Sequence, residues 1–316
     1  MSKSVNNPLA PKPDLDFLSI LGSGSFGTVI KAYDNNNYRR EVAVKKSSKT
    51  GNEISRELQI MIKTNRSKYC VELIDAFYTV TEMNEVIQNL VLEYMPESLA
   101  TVIKRLHHNK QRFSEIETAE IMFQILKGLE HIHELEIMHR DIKPENILIN
   151  FETLQTKICD FGSAKSVKDG KNISYVVSRF YRAPELILGC SDYGTEIDIW
   201  AAGCILIELY IGLPAFMGSN DSNQLIQYLN LLGGIPFNCS IISSSPLPKD
   251  ILRAITLIEG KNDILNFFKH SEKQKIVADL VSKMLNYNPK ERFTASQCLN
   301  HEFFDDIRQK YKIECN

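Results

Sequence analysis

Between Leu15 and about Glu93, apolar residues fall into short runs broken by Gly or Asn turns, at 17–21, 29–33, 42–45, 71–78 and 86–93. Runs of this length, rich in β-branched and aromatic side chains, predict strands. One stretch near 53–63 is helical in spacing instead. Beyond Ser98 the period lengthens. Ser114 and Glu117 make a capping box at the head of a predicted helix reaching Leu135, with Ile121, Ile125 and Leu129 on one face. The most apolar window, 199–213, is bounded by Asp198 and Pro214 and interrupted by Glu208, so it predicts a buried core helix rather than a bilayer span. The pattern changes at 95–97, which predicts a small sheet lobe, a short connector and a larger helical lobe with a cleft between them. The cluster at 243–248 reads as a surface loop, and 236–270 has no clear period.

With 316 residues, 43% of them apolar and 24% charged, the chain can bury a large core, which excludes a disordered or fibrous protein. Thirty-seven basic and 39 acidic side chains leave a net charge of −2, so there is no global field to hold a nucleic acid or an anionic membrane, and neither is expected as a partner. The seven cysteines are scattered with no C-x-x-C pair, which argues against zinc or a redox dithiol and for a reducing compartment: the cytoplasm, with the nucleus as a second location. Residues 1–14 are polar and carry Pro8, Pro11 and Pro13, reading as a flexible segment rather than a signal peptide.

Gly22, Gly24 and Gly27 follow the first strand run. Thr28, Val29 and Ile30 continue as β-branched residues, so this loop joins two strands and does not open a helix. Without side chains, its backbone N–H groups could approach phosphate oxygens closely; a plain hairpin turn is the other reading. In Val42-Ala43-Val44-Lys45 the period of two sets Ala43 and Lys45 on one face. Lys45 is a candidate phosphate clamp, with Glu57 on the following helix able to pair with it and Met61 one turn further on. His139-Arg140-Asp141-Ile142-Lys143-Pro144-Glu145-Asn146 precedes Asp160-Phe161-Gly162. Asn146 and Asp160 supply the hard oxygens that magnesium on a triphosphate prefers, leaving Asp141 free to accept a hydroxyl proton.

Together with Ala183-Pro184-Glu185, these segments resemble the protein kinase signatures. The resemblance implies an α+β bilobal kinase fold, with an N-lobe over 15–95, a C-lobe over 96–304 and a tail over 305–316. It also implies ATP and Mg2+. By it, Lys45 holds the α and β phosphates and is oriented by Glu57, Asp141 is the base, and Asn146 and Asp160 bind the metal. Lys143 contacts the transferred phosphoryl group, and its place in the loop is that of serine/threonine kinases. The nucleotide would lie against Leu21, Gly22, Ser23, Gly24, Ser25, Phe26, Gly27, Val29, Ala43 and Leu148, with adenine hydrogen-bonded at Glu93 and Met95. Asp198-Ile199-Trp200 would begin a buried helix that anchors the catalytic loop, and Arg292 would pair with Glu185.

More narrowly, residues 55–61, 159–165 and 174–185 resemble glycogen synthase kinase 3, and the likeness extends over 15–235. Cyclin-dependent and mitogen-activated kinases share Tyr181-Arg182-Ala183-Pro184-Glu185 but carry an activating threonine where this chain has Ile173. In the resembled family Arg56, Arg140 and Lys165 converge on a phosphate. With no hydroxyl at Ile173, that anion would come from a substrate already phosphorylated four residues C-terminal to its target, a span of roughly 13 Å of extended peptide. Tyr175 matches the family's activation-loop tyrosine and, once phosphorylated, would pair with Arg179 and Arg182 to open the substrate groove. Ser178 would hydrogen-bond near Asp141. Glu145 stands where the family has glutamine, and 236–270 is short for the family. Scaffold proteins would dock at 224–232. The alternatives are a proline-directed kinase of the cyclin-dependent or mitogen-activated kind, and a non-catalytic pseudokinase scaffold, which would ordinarily have lost Lys45, Asp141 or Asp160.

Overall fold

The computed structural model describes residues 13–24, 27–49, 54–170, 172, 178–260 and 263–314. Contacts divide the chain into two units: one takes the residues up to Pro96 together with Asp160–Gly162, the other takes Glu97–Cys159 and the chain from Ser163 onward. Chain order alone would place Asp160–Gly162 with the second unit.

The first unit is built on strands β1 (Leu15–Gly24), β2 (Gly27–Asp34), β3 (Arg40–Ser48), β4 (Leu73–Val80) and β5 (Val86–Glu93), with helix α1 (Arg56–Thr64) following β3. The sheet is antiparallel in the order β1-β2-β3-β5-β4. The period of two along β3 sends Val42 and Val44 into a core with Ala32, Phe77 and Val91, which leaves Ala43 and Lys45 for the other face. At the turn into β2, Gly27 has φ +116°, and a Cβ there would stand 2.0 Å from the Lys46 carbonyl oxygen, so only glycine lets β2 lie against β3. Helix α1 starts at Ser55, whose hydroxyl accepts the Leu58 N–H, and buries Leu58, Ile60 and Met61.

The second unit is mainly helical: α2 (Leu99–His108), α3 (Glu115–Glu134), α4 (Pro184–Ile187), α5 (Glu196–Ile211), α6 (Asp221–Leu232), α7 (Ser240–Ser244), α8 (Lys249–Thr256), α9 (Gln274–Met284), α10 (Ala295–Leu299) and α11 (Asp305–Glu314). Two small antiparallel sheets, β6 (Glu97–Ser98) with β8 (Ile147–Asn150) and β9 (Gln155–Ile158), and β7 (Ile137–Met138) with β10 (Lys165–Ser166), brace the loops between α3 and α4. The capping box at Ser114 and Glu117 is formed in full at the head of α3. Helix α5 is buried on nearly every side, and Trp200 packs edge-on to Tyr228 with ring centroids 4.9 Å apart. Among the described residues, no helix is long and apolar enough to cross a membrane.

Glu185 and Arg292, 107 residues apart in sequence, form a buried two-pronged ion pair at 2.7 and 3.0 Å. Removing either partner would strand a charge in the interior, at a cost of about 3–5 kcal/mol. At the end of the chain, Tyr311 Oη donates to Glu120 Oε1 at 2.6 Å, Lys310 pairs with the other oxygen at 3.1 Å, and the Tyr311 ring stacks on Phe123. Helix α11 is thereby fastened to α3. The region without a clear period contains α7, α8 and a 3-10 turn at Ile264–Phe268. Part of the loop expected at 243–248 is helical: Ser243 and Ser244 end α7, and the irregular stretch begins at Ser245, whose hydroxyl donates to the Leu188 carbonyl.

Candidate active site

In the first unit, β3 and α1 bring Lys45 and Glu57 together at 2.5 Å, and the same ammonium is 2.7 Å from Asp160 Oδ1. Lys45 is only 6% exposed. Burial by itself would lower the lysine pKa, but the carboxylates of Glu57 and Asp160 outweigh it, and the pKa is raised above its ordinary value. Burial pushes the Glu57 carboxyl up, with the Lys45 charge opposing it. Glu57 lies in the first turn of α1, where a negative charge also suits the helix dipole. Asp160 has φ +60°, a strained conformation for a residue with a side chain, and its carboxylate also accepts the Gly162 N–H at 3.3 Å.

The glycine-rich turn has a second property. Gly22 and Gly24 have no neighbour within 4 Å of where a Cβ would stand, and neither has a positive φ. The fold does not demand glycine at either position, whereas a phosphate group approaching the backbone would. Leu21 and Ser23 lie on β1, and Val29 on β2 pairs directly with Lys45. Ala43 is buried beside Lys45 in β3, and Met95 is buried past the end of β5. The backbone N–H of Glu93 donates to the Glu72 carbonyl at 3.0 Å. Ser25 and Phe26 lie outside the described residues.

In the second unit, Asp141 is 7% exposed. It does not stand free. Its Oδ1 accepts the Ser178 N–H at 3.1 Å and the Ser178 hydroxyl at 3.0 Å, and its Oδ2 accepts Asn146 Nδ2 at 2.9 Å and pairs with Lys143 at 2.7 Å. A buried carboxylate needs donors, and four of them fix its orientation. Lys143 also donates to Ser178 Oγ at 2.9 Å. Asn146 gives its other amide hydrogen to the Asp141 carbonyl at 2.8 Å, so its own carbonyl oxygen remains as the donor atom for a cation. An amide oxygen on Asn146, in this unit, and a carboxylate on Asp160, in the first unit, are each donors of the kind that magnesium takes. Leu148 lies on β8.

The loop carrying Asp141 is held from below by Asp198, which accepts the backbone N–H groups of His139 and Arg140 at 2.8 and 2.9 Å. Beside the loop, Ser178, Tyr181 and Glu208 line a groove of about 630 Å³ together with Lys143 and Glu145. Tyr181 Oη donates to Glu208 Oε2 at 2.7 Å. Burial raises the Glu208 pKa to about 7, with the charge of Glu145 adding to it and the Tyr181 hydrogen bond opposing.

The protein kinase domain family matches residues 15–304. The chain belongs to the protein kinase family. It is 36% identical over 297 residues to the serine/threonine-protein kinase RIM11/MSD1 of Saccharomyces cerevisiae, an alignment covering 92% of this chain and 76% of the yeast protein. The expected resemblance to glycogen synthase kinase 3 and the bilobal kinase fold are both borne out, and the protein is a serine/threonine kinase with ATP as the phosphate donor.

The kinase sets Arg140, with φ +66°, against the Ser163 carbonyl through Nε at 2.7 Å. Lys165 donates to the Gly170 carbonyl at 3.0 Å and to Asn172 Oδ1 at 2.9 Å. Arg56 is the exposed first residue of α1, in the other unit. Ile173 and Tyr175 lie outside the described residues. Arg179 and Arg182 both reach Asp221 on α6, at 3.6 and 2.8 Å. The sequence reading assigned no part at the site to Asp221, or to Glu208 beyond its interruption of the apolar window. A lone carboxylate inside the wholly apolar run 199–213 was the available signal for Glu208; Asp221 sits in an ordinary polar turn and offered none.

Proposed function

We propose that this serine/threonine kinase, acting with magnesium-bound ATP, prefers protein substrates that already carry a phosphate four residues C-terminal to the target hydroxyl. The observation that carries this reading is Arg140: it is 6% exposed, yet among the described residues it forms no ion pair and donates its Nε to a neutral carbonyl. A buried guanidinium with neutral partners favours an incoming dianion. Lys165, on β10, donates to a backbone carbonyl and to an amide oxygen. Ile173 cannot supply the anion from within the chain. Arg56 is the third cation that the family likeness assigns to the same phosphate.

In this reading Asp141 orients the substrate hydroxyl and takes its proton, Lys143 steadies the transferred group, and Lys45, fixed by Glu57, holds the ATP phosphates. Magnesium, held by Asn146 and Asp160, would offset phosphate charge. Catalysis is then positioning and charge stabilisation, as expected for phosphoryl transfer. Docking of a scaffold at 224–232 would have to use the outer face of α6 around Ile226, because Gln224, Leu225, Tyr228 and Leu229 are buried. A cytoplasmic or nuclear setting accords with the absence of a disulfide among the six cysteines of the described residues, five of which are buried.

The test is radiolabel transfer from ATP to matched peptides with and without phosphoserine at the fourth position after the target. Two or three charge-assisted hydrogen bonds predict a primed preference in kcat/KM of about tenfold to several hundredfold. Arg56→Ala and Lys165→Ala should shrink that preference while sparing the unprimed peptide. Equal kcat/KM for both peptides would overturn the proposal and leave an unprimed serine/threonine kinase.

A further inference from the structure

Arg179 and Arg182 are the cations that the family likeness reserves for a phosphate on Tyr175, and in this chain both already face a carboxylate. Arg182 Nη1 donates to Asp221 Oδ1 at 2.8 Å, Arg179 Nε lies 3.6 Å from the same oxygen, and Arg179 Nη1 donates to the Ser219 carbonyl at 2.9 Å. The Arg182 side chain is 6% exposed and that of Asp221 37%. A guanidinium buried this far is costly without an anion, while a partly solvated carboxylate costs little to bring to it.

Asp221 is held firmly. It is the first residue of the twelve-residue α6, whose cap, Asn220, accepts the Asn223 N–H. The same helix grips the adjoining backbone at two further points, where Tyr228 Oη donates to the Arg182 carbonyl at 2.8 Å and Gln224 Nε2 to the Phe180 carbonyl at 3.3 Å. Four residues before Arg182, the N–H and hydroxyl of Ser178 both bind Asp141. A continuous chain of contacts thus runs from the start of α6, through residues 178–182, to the catalytic carboxylate.

We infer that Asp221 is a positioning residue for peptide phosphorylation: a built-in anion that does for Arg182 what an activation-segment phosphate would do, so that the peptide groove is set without modification of Tyr175. Asp221 acts through Arg182 and the segment up to Ser178 and does not touch the reacting atoms. A phosphate carries about −1.5 to −2 charges against the single charge of aspartate, so phosphorylation of Tyr175 would exchange one anion for a stronger one and add to activity without switching it on. This rests on kinase activity alone and not on the priming preference, so it is tested with primed and unprimed peptides alike.

The experiment compares full-length wild type, Asp221→Asn and Asp221→Glu, each treated with a tyrosine phosphatase and checked by mass spectrometry, in steady-state assays varying peptide and then ATP. Dephosphorylated wild type is expected to keep its peptide kcat/KM within about threefold of the untreated enzyme. Dephosphorylated Asp221→Asn is expected to lose about tenfold or more, mostly through peptide KM, with the KM for ATP within about twofold. Asp221→Glu should restore most of the loss, which a merely structural role would not predict. If Asp221→Asn melts well below wild type, Asp221→Ser, a residue suited to helix starts, replaces it and the same outcomes decide. The inference is overturned if dephosphorylation alone costs the wild type tenfold or more, or if the dephosphorylated Asn or Ser variant matches wild type.

Discussion

Asp198 accepts the backbone N–H of Arg140 at 2.9 Å, across 58 residues of chain. Its second oxygen takes the His139 N–H at 2.8 Å and lies 3.0 Å from His133 Nε2. Arg140 has a left-handed φ of +66°, a conformation that costs about 1–3 kcal/mol unless the surroundings impose it. Asp198 supplies that imposition, and the consequence is the placement of Asp141 one residue later.

Asp198→Ala is therefore expected to leave two buried amides unpaired, lowering stability by about 3 kcal/mol or more and kcat by at least about tenfold. Asp198→Asn, which keeps one acceptor oxygen, should fall between that variant and wild type. Urea unfolding and peptide phosphorylation measure the two effects. An Ala variant with an unchanged midpoint would show that the loop does not depend on this carboxylate.

The local parts of this arrangement were legible in the sequence. The period of two along 42–45 set Lys45 opposite the Val42 and Val44 core, the capping box at Ser114 marked the start of α3, and the run at 86–93 coincides with β5. Each is decided within a few residues by pleat, cap or turn chemistry. Pairings across long stretches were visible only through family likeness, as with Glu185 and Arg292, or not at all, as with Arg182 and Asp221. Nothing local says which carboxylate a buried arginine will meet. The helices in 236–270 are short, α7 has five residues and α8 eight, so too few turns exist for a period to emerge from the composition.

Lys45 carries the only ammonium within reach of both Glu57 and Asp160 among the described residues, and its raised pKa keeps it charged throughout the neutral range. Lys45→Met should lower kcat by about 10²-fold or more, since by the proposed mechanism it removes a preorganised charge at the phosphates. Glu57→Gln should cost less, because the lysine keeps Asp160. Below about pH 9 no limb of the pH–rate profile should depend on Lys45. A Met variant within tenfold of wild type would remove the lysine from the mechanism.

Glu208 links stability to pH in the sense opposite to most carboxylates. Its folded pKa of about 7 lies above the ordinary 4.5, so between those values the folded protein binds more protons than the unfolded chain, and stability declines as pH rises through that window. The shift corresponds to roughly 3 kcal/mol lost between pH 4.5 and pH 8. Glu208→Gln keeps an oxygen for the Tyr181 hydroxyl and removes the titration. It should gain on wild type steadily from pH 5 to pH 8 in urea unfolding. Parallel pH curves for the two proteins would show that Glu208 does not titrate there.

The fastening of α11 onto α3 decides where the polypeptide can be trimmed. Glu120 is buried and receives Tyr311 and Lys310 from the last described turn of the chain. Any shortened version ending before Lys310 would strand an acidic group in the interior and uncover the Phe123 ring, trading a few disposable-looking residues for poor yield and aggregation. A version meant for crystals or assays is best cut beyond Tyr311.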